Sequence, residues 1–121
     1  MKKILIIGAG AMGAAFTFPC ADNNHHVTLA EPYNLKLLKK ISKRKKFHPS
    51  LKISLSKKTV VKRLSIELLK LRWDLIVIAV SSIGIDLIKE NLKYLKFKSR
   101  VLILTKGLKY DAKAKKILTK S

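Results

Sequence analysis

The sequence predicts an α/β fold, a doubly wound parallel sheet in a single domain, and three observations carry that expectation. Short apolar runs alternate with segments of helical periodicity along the chain, the pattern of parallel strands joined by helical crossovers. Two of the runs, Ile4-Leu5-Ile6-Ile7 and Leu75-Ile76-Val77-Ile78-Ala79-Val80, are continuously apolar, as befits central strands covered on both faces. The first run leads directly into Gly8-Ala9-Gly10-Ala11-Met12-Gly13, a G-x-G-x-x-G turn between a strand and a helix. The expected strand order is 3-2-1-4-5.

The glycine-rich turn organises the chemistry. Gly8 allows a tight turn at the strand end, Gly10 lets the backbone approach a pyrophosphate, and Gly13 lets the helix pack on the strand. A diphosphate would then sit on the unpaired N–H groups and positive dipole end of the helix that starts at Ala11. After that helix comes a second strand and Glu31, about 20 residues beyond the turn, where a carboxylate can accept hydrogen bonds from ribose hydroxyls. The context makes this a Rossmann-type dinucleotide-binding fingerprint. The acid at Glu31 favours NAD, because it would repel the 2′-phosphate of NADP. Lys36, Lys39 and Lys40 lie close behind and can offset that repulsion, so NADP stays open.

The remaining elements follow in order. The first helix is expected from Ala11 to Asn23, with Pro19 loosening or kinking it, and an asparagine of Asn23-Asn24 supplying a left-handed end. His26 to Ala30 is the second strand; His25 and His26 read as turn residues rather than ligands. Asn34 to Lys43 carries Leu35, Leu38 and Ile41 at helical spacing. Lys45 to Ser50, containing His48-Pro49, reads as a loop. Leu51, Ile53 and Leu55 alternate as in a strand, and Thr59 to Val61 reads as a short one. Ser65 to Arg72 is a helix, with Ser65 placed to cap it and Glu67 in its first turn.

The strand from Asp74 to Val80 stops at Ser81-Ser82, beside the first strand at the expected switch point. Ser81 and Ser82 therefore either face a cofactor or cap the next helix. That helix spans Ile83 to Leu95, with Ile85, Ile88, Leu92 and Leu95 on one face. A last strand, Arg100 to Leu104, ends in Thr105-Lys106-Gly107, and Lys106 is placed to meet an anionic substrate at the same sheet edge. Asp111 to Lys120 reads as the start of a further helix.

Composition narrows the classes. A chain of 121 residues is one domain with room for a core. A single cysteine, Cys20, rules out an intrachain disulfide, and with three scattered histidines no metal site is expected. Both fit a reducing, cytoplasmic setting. Lys2-Lys3 followed by an uncharged run resembles a signal peptide, but the three glycines inside the run suit the fingerprint better. Elsewhere no run approaches the 18 or more apolar residues of a membrane span. The net charge is +20, from 27 basic and 7 acidic residues. The basic residues are mostly lysine and widely spread, and the cluster Lys39 to Lys46 has no interleaved aromatic to stack on bases. Nucleic-acid binding is therefore expected to be non-specific, through charge.

Four blocks carry a resemblance that covers nearly the whole chain. They are Gly8-Ala9-Gly10-Ala11-Met12-Gly13, His48-Pro49-Ser50-Leu51, Ala79-Val80-Ser81-Ser82 and Thr105-Lys106-Gly107-Leu108. Together they resemble the N-terminal cofactor-binding domain of NAD(P)-dependent glycerol-3-phosphate dehydrogenase, in its archaeal-like form. The lysine-glycine pair of the last block is the most specific, since generic domains of this fold do not carry it there. Where Ser81 stands, the common family pattern has proline.

The resemblance implies hydride transfer between a nicotinamide and C2 of dihydroxyacetone phosphate or glycerol 3-phosphate. It implies that Gly8, Ala9, Gly10, Ala11, Met12 and Gly13 hold the diphosphate, with Ser81 and Ser82 bordering the nicotinamide and Lys106 touching the phosphorylated substrate. The family is about three times this long, and its second, helical domain carries the general base. The expectation is a chain that binds cofactor but is inactive by itself. Completion by a separate C-terminal chain, or self-association through the apolar surface that such a domain would cover, is also expected. Alternatives from the same reading are another two-domain reductase, of the ketopantoate reductase type, or a non-enzymatic nucleotide-sensing or nucleic-acid-binding module. Against the reductase, Ser81-Ser82-Ile83-Gly84 lacks the lysine usual in that family.

Overall fold

A computed structural model describes residues 1–43, 46–80 and 88–104. Among the described residues the elements run in the order β1 (Lys3–Ile7), α1 (Ala11–Asp22), β2 (His26–Glu31), α2 (Leu35–Lys43), β3 (Phe47–His48), β4 (Ile53–Ser54), β5 (Val60–Arg63), α3 (Ile66–Leu69), β6 (Leu75–Ile78) and β7 (Arg100–Ile103). Residues 88–92 are also helical. Ser81, Ser82, Lys106, the first residues of the helix expected from Ile83 and the whole of that expected from Asp111 lie outside the described residues.

Five strands form one parallel sheet in the order β5-β2-β1-β6-β7. Leaving aside the β3–β4 hairpin, this is the expected 3-2-1-4-5. The register sets Lys3 beside His26 and Ile7 beside Ala30 on one side of β1, and Ile4 beside Leu75 and Ile7 beside Ile78 on the other. Alternation along the central strand sends its side chains into two cores. Leu5 and Ile7 join Leu68, Leu69, Trp73, Ile76, Ile78 and Ile88 on one face. Ile4 and Ile6 join Ala14, Cys20, Val27, Leu29 and Ile41 on the other. With α1 and α2 on one face and α3 and residues 88–92 on the other, the sheet is doubly wound. Each fully buried Leu or Ile stabilises the fold by about 1.5–3 kcal/mol, which favours an apolar β1 from Ile4 to Ile7, behind the exposed Lys3.

Local sequence decides the ends. In α1, Pro19 removes the donor for the Ala15 carbonyl, but Ala15 is exposed, so water can replace it. The helix consequently runs through Pro19 to Asp22. Its end is made by Asn24, at φ 62°, the left-handed position asparagine tolerates. Asn34 starts α2 with its side-chain oxygen accepting the Leu37 N–H at 3.0 Å, and Ser65 caps α3 by accepting the Leu68 N–H at 3.2 Å.

Several boundaries depart from expectation. The helix expected over Ser65 to Arg72 stops at Leu69, and the one expected to Leu95 stops at 92. The alternating stretch Leu51 to Leu55 is not a sheet strand. Only Ile53–Ser54 pairs, antiparallel, with Phe47–His48, in the segment expected to be a loop, and Ile53 is half exposed. The third sheet strand is β5, where Thr28 to Glu31 pairs with Val60 to Arg63.

Candidate dinucleotide-binding site

The glycine-rich turn sits where the carboxyl ends of β1, β2 and β6 meet. The Gly8 N–H donates to the Ala30 carbonyl at 2.7 Å, and the Ala79 N–H donates to the Ile7 carbonyl at 2.8 Å. The turn is therefore stitched to both neighbours of β1, at the point where the chain's winding reverses.

Each glycine has a different surrounding. Gly8 has φ +113°, and a Cβ there would fall on the Ala79 carbonyl. A Cβ on Gly13 would fall on the Gly8 carbonyl, so α1 reaches the turn only because that side chain is absent. At Gly10 a Cβ would meet no protein atom within 4 Å. Gly10 is the N-cap of α1, with no side chain capping the helix. The Ala14 N–H closes the first helical bond to its carbonyl at 2.9 Å. The first-turn N–H groups, those of Ala11, Met12 and Gly13, thus belong to a helix end whose dipole favours an anion.

Ala9 is held from two sides. Its N–H donates to Glu31 Oε1 at 2.7 Å. Its carbonyl lies 2.8 Å from His48 Nε2. Glu31 is 5% exposed, and its other oxygen accepts the N–H groups of Tyr33 and Asn34, both at 2.9 Å. The carboxylate expected to face a ribose is therefore turned inward onto backbone donors. His48 is fully buried; its Nδ1 accepts from the Ser50 N–H at 3.2 Å and the Leu51 N–H at 3.3 Å. The Tyr33 phenol titrates above its ordinary range, through partial burial first and the Glu31 charge second.

A cavity of about 200 Å³ opens beside this cluster, lined by Pro32, Leu64, Ser65, Ile66, Leu69 and Asn91. It lies where β2 and β5 end, with α3 at its edge. A larger cavity, of about 430 Å³, lies at the opposite, amino-terminal edge between Lys3, His26, Val60 and Trp73. The first lies at the carboxyl-terminal edge of the sheet, the edge that also carries the glycine-rich turn. Among the described residues no helix is long and apolar enough to cross a membrane.

Residues 3–120 match the family described as NAD-dependent glycerol-3-phosphate dehydrogenase N-terminus. The chain belongs to this family. It is thus a cofactor-binding domain of the NAD(P) oxidoreductase type. No curated protein gives a significant match. Among solved structures, the glycerol-3-phosphate dehydrogenase of Coxiella burnetii is similar with a TM-score of 0.72 and 21% identity, over 88% of this chain and 33% of that one. The 2-dehydropantoate 2-reductase of Methylococcus capsulatus is similar at 0.63 and 15% identity, over 97% of this chain and 37% of that one. A D-mandelate dehydrogenase bound to NADH and anilino(oxo)acetate is similar at 0.64 and 21% identity, over 96% and 37%. At these identities the likeness is one of fold. The chain spans about a third of the length of each.

Sequence reasoning reached the glycines and Glu31 but missed His48 as part of the same cluster. A lone histidine before a proline has no periodicity to betray burial. The one available signal was its place in a block of family resemblance.

Proposed function

We propose that the glycine-rich turn binds the diphosphate of NAD, and that the chain is the cofactor half of an enzyme interconverting dihydroxyacetone phosphate and sn-glycerol 3-phosphate. The observation that carries this is the empty side of Gly10 at the uncapped start of α1. Gly8 and Gly13 shape the turn, Ala9, Gly10, Ala11, Met12 and Gly13 supply backbone to the diphosphate, and the cavity beside Pro32 and Leu69 takes the adenosine end. Glu31 holds a negative charge at that end, supporting NAD over NADP. Ser81 and Ser82 follow β6 and are assigned to the nicotinamide side. Lys106 is assigned to the phosphorylated substrate, on the family resemblance.

When bound, the nicotinamide supplies the hydride chemistry. This chain's part is to bind and orient it. A base must still take the alcohol proton, and Lys106 is a poor one unless its pKa is strongly lowered. The family's second domain is proposed to carry that base, and residues 1–121 tested by themselves are proposed to bind cofactor without turnover. A ketopantoate-reductase-type activity is the second reading, favoured by the fold likeness to a 2-dehydropantoate 2-reductase.

The test is titration of the purified chain with NADH and NADPH, read by Trp73 fluorescence or calorimetry. Saturable NADH binding that is lost in Gly10→Val supports the site, and the tighter of the two ligands decides the cofactor. Absence of binding to either overturns the proposal. Dihydroxyacetone-phosphate-dependent NADH oxidation by the chain alone would refute its inactivity.

A further inference from the structure

We propose that His48 is a positioning residue for the cofactor turn: as the neutral Nε2–H tautomer, it holds the Ala9–Gly10 peptide so that the Gly10 N–H faces the diphosphate. This rests on the diphosphate assignment made above.

The tautomer follows from the partners. A carbonyl oxygen only accepts, so at 2.8 Å from the Ala9 oxygen His48 Nε2 must carry the hydrogen. Nδ1 faces the N–H groups of Ser50 and Leu51, so it must present its lone pair. A proton on Nδ1 would oppose two donors inside a fully buried pocket. The hairpin that carries His48 is built for this. The Lys52 N–H returns to the His48 carbonyl at 2.8 Å, and the Leu55 N–H to the Lys46 carbonyl at 2.9 Å, closing the strand pair around the ring. Leu55 anchors the hairpin in the core shared with Ala9 and Ala14.

The consequence for the turn comes from peptide planarity. In a trans peptide the C=O and the next N–H point in opposite directions, and the described chain has no cis bond. Fixing the Ala9 carbonyl on His48 therefore aims the Gly10 N–H away from the protein interior. Glu31 does the same for the preceding plane: with the Ala9 N–H on its carboxylate, the Gly8 carbonyl is turned to the opposite side, against Gly13. Two adjacent peptides in a glycine-rich turn are thus held by side chains from β2 and β3. Without His48 the second plane is free to rotate, and the N–H most central to the site loses its aim.

The experiment compares His48→Phe with His48→Gln, using NADH and ADP-ribose as probes, with thermal unfolding measured alongside. Glutamine carries an amide N–H that can reach the Ala9 carbonyl but does not replace Nδ1. Phenylalanine fills the space and donates nothing. Both variants are expected to lose stability through the Ser50 and Leu51 donors. Affinity for NADH and for ADP-ribose should fall about tenfold or more in the phenylalanine variant and stay within about threefold of wild type in the glutamine variant. Equal affinities in all three proteins, or equal losses in both variants, would overturn the proposal while leaving the site assignment intact. If wild type binds neither probe, both fall. Nitrogen-15 shifts of the imidazole in the wild-type chain give a check independent of any variant's folding. They should report the neutral Nε2–H form, and a cationic ring or the Nδ1–H form would refute it.

Discussion

Glu31 and Ala9, on different elements, share a buried hydrogen bond of 2.7 Å. The same carboxylate also accepts the Tyr33 and Asn34 N–H groups, so one acidic side chain joins the glycine turn to the start of α2. An ionised acceptor makes such bonds about twice as strong as neutral ones.

Glu31→Gln is therefore expected to destabilise the fold. One end of the amide must set N–H against N–H in a site with little water, at a cost of about 2 kcal/mol. Urea denaturation of the pure chain would measure it. In ligand titration the same variant should narrow the preference for NADH over NADPH, because the charge that repels the 2′-phosphate is gone.

The three glycines should separate by consequence. Gly8→Ala meets both the positive φ and the Ala79 carbonyl, and Gly13→Ala meets the Gly8 carbonyl. Each should cost about 2–4 kcal/mol and lower the melting temperature sharply. Gly10→Ala adds a methyl to open space, so its stability cost should stay below about 1 kcal/mol, while NADH affinity falls. Calorimetric melting and NADH titration on all three variants would read both halves.

Cys20, on the buried face of α1, is 7% exposed, and burial pushes its thiol up from the ordinary range. The folded state thus keeps a proton that the unfolded chain releases. The sign is that this contribution is full below the ordinary thiol pKa, about 8.5, and is lost as pH rises past it. Denaturation midpoints should fall from pH 8 to pH 10 more in wild type than in Cys20→Ala. Alkylation of the native thiol at neutral pH should be slow, accelerating in urea.

The charge of +20 predicts association with DNA of any sequence at low salt. Raising salt from 50 to 200 mM should weaken it by about tenfold or more. Gly10→Val should leave that binding unchanged while abolishing NADH binding. A filter-binding series would show whether charge and glycine turn act independently.

Legibility in the sequence followed the range of the interactions. Continuous apolar runs at β1 and β6 marked the central strands because burial on both faces leaves no polar position. The glycine spacing was readable because Gly8 and Gly13 answer local steric demands, while the side of Gly10 is left open. Caps at Asn34 and Ser65 were readable for the same reason, since a short polar side chain reaches only its own helix. The β3–β4 hairpin was not. Its alternation at Leu51, Ile53 and Leu55 imitates a sheet strand, whereas Ile53 faces solvent and Leu55 faces the core. His48 was missed because its partner, Ala9, lies 39 positions away. Glu31 ends β2 as expected, but its inward turn depends on backbone donors that composition does not reveal.

The stitching of β1 between β2 and β6 also dictates when the turn can take shape. Gly8 draws on Ala30, Ala9 on His48, and Ile7 on Ala79, so its contacts close loops of increasing length. Parallel pairing of this kind forms slowly, since distant segments must meet before any bond rewards them. During synthesis the first eight residues emerge early, yet the turn has no complete mould until β6 has been made. Gly8 and Ala79 amides should therefore gain protection together in pulsed hydrogen exchange, and the binding-competent turn should arise as a late, concerted event.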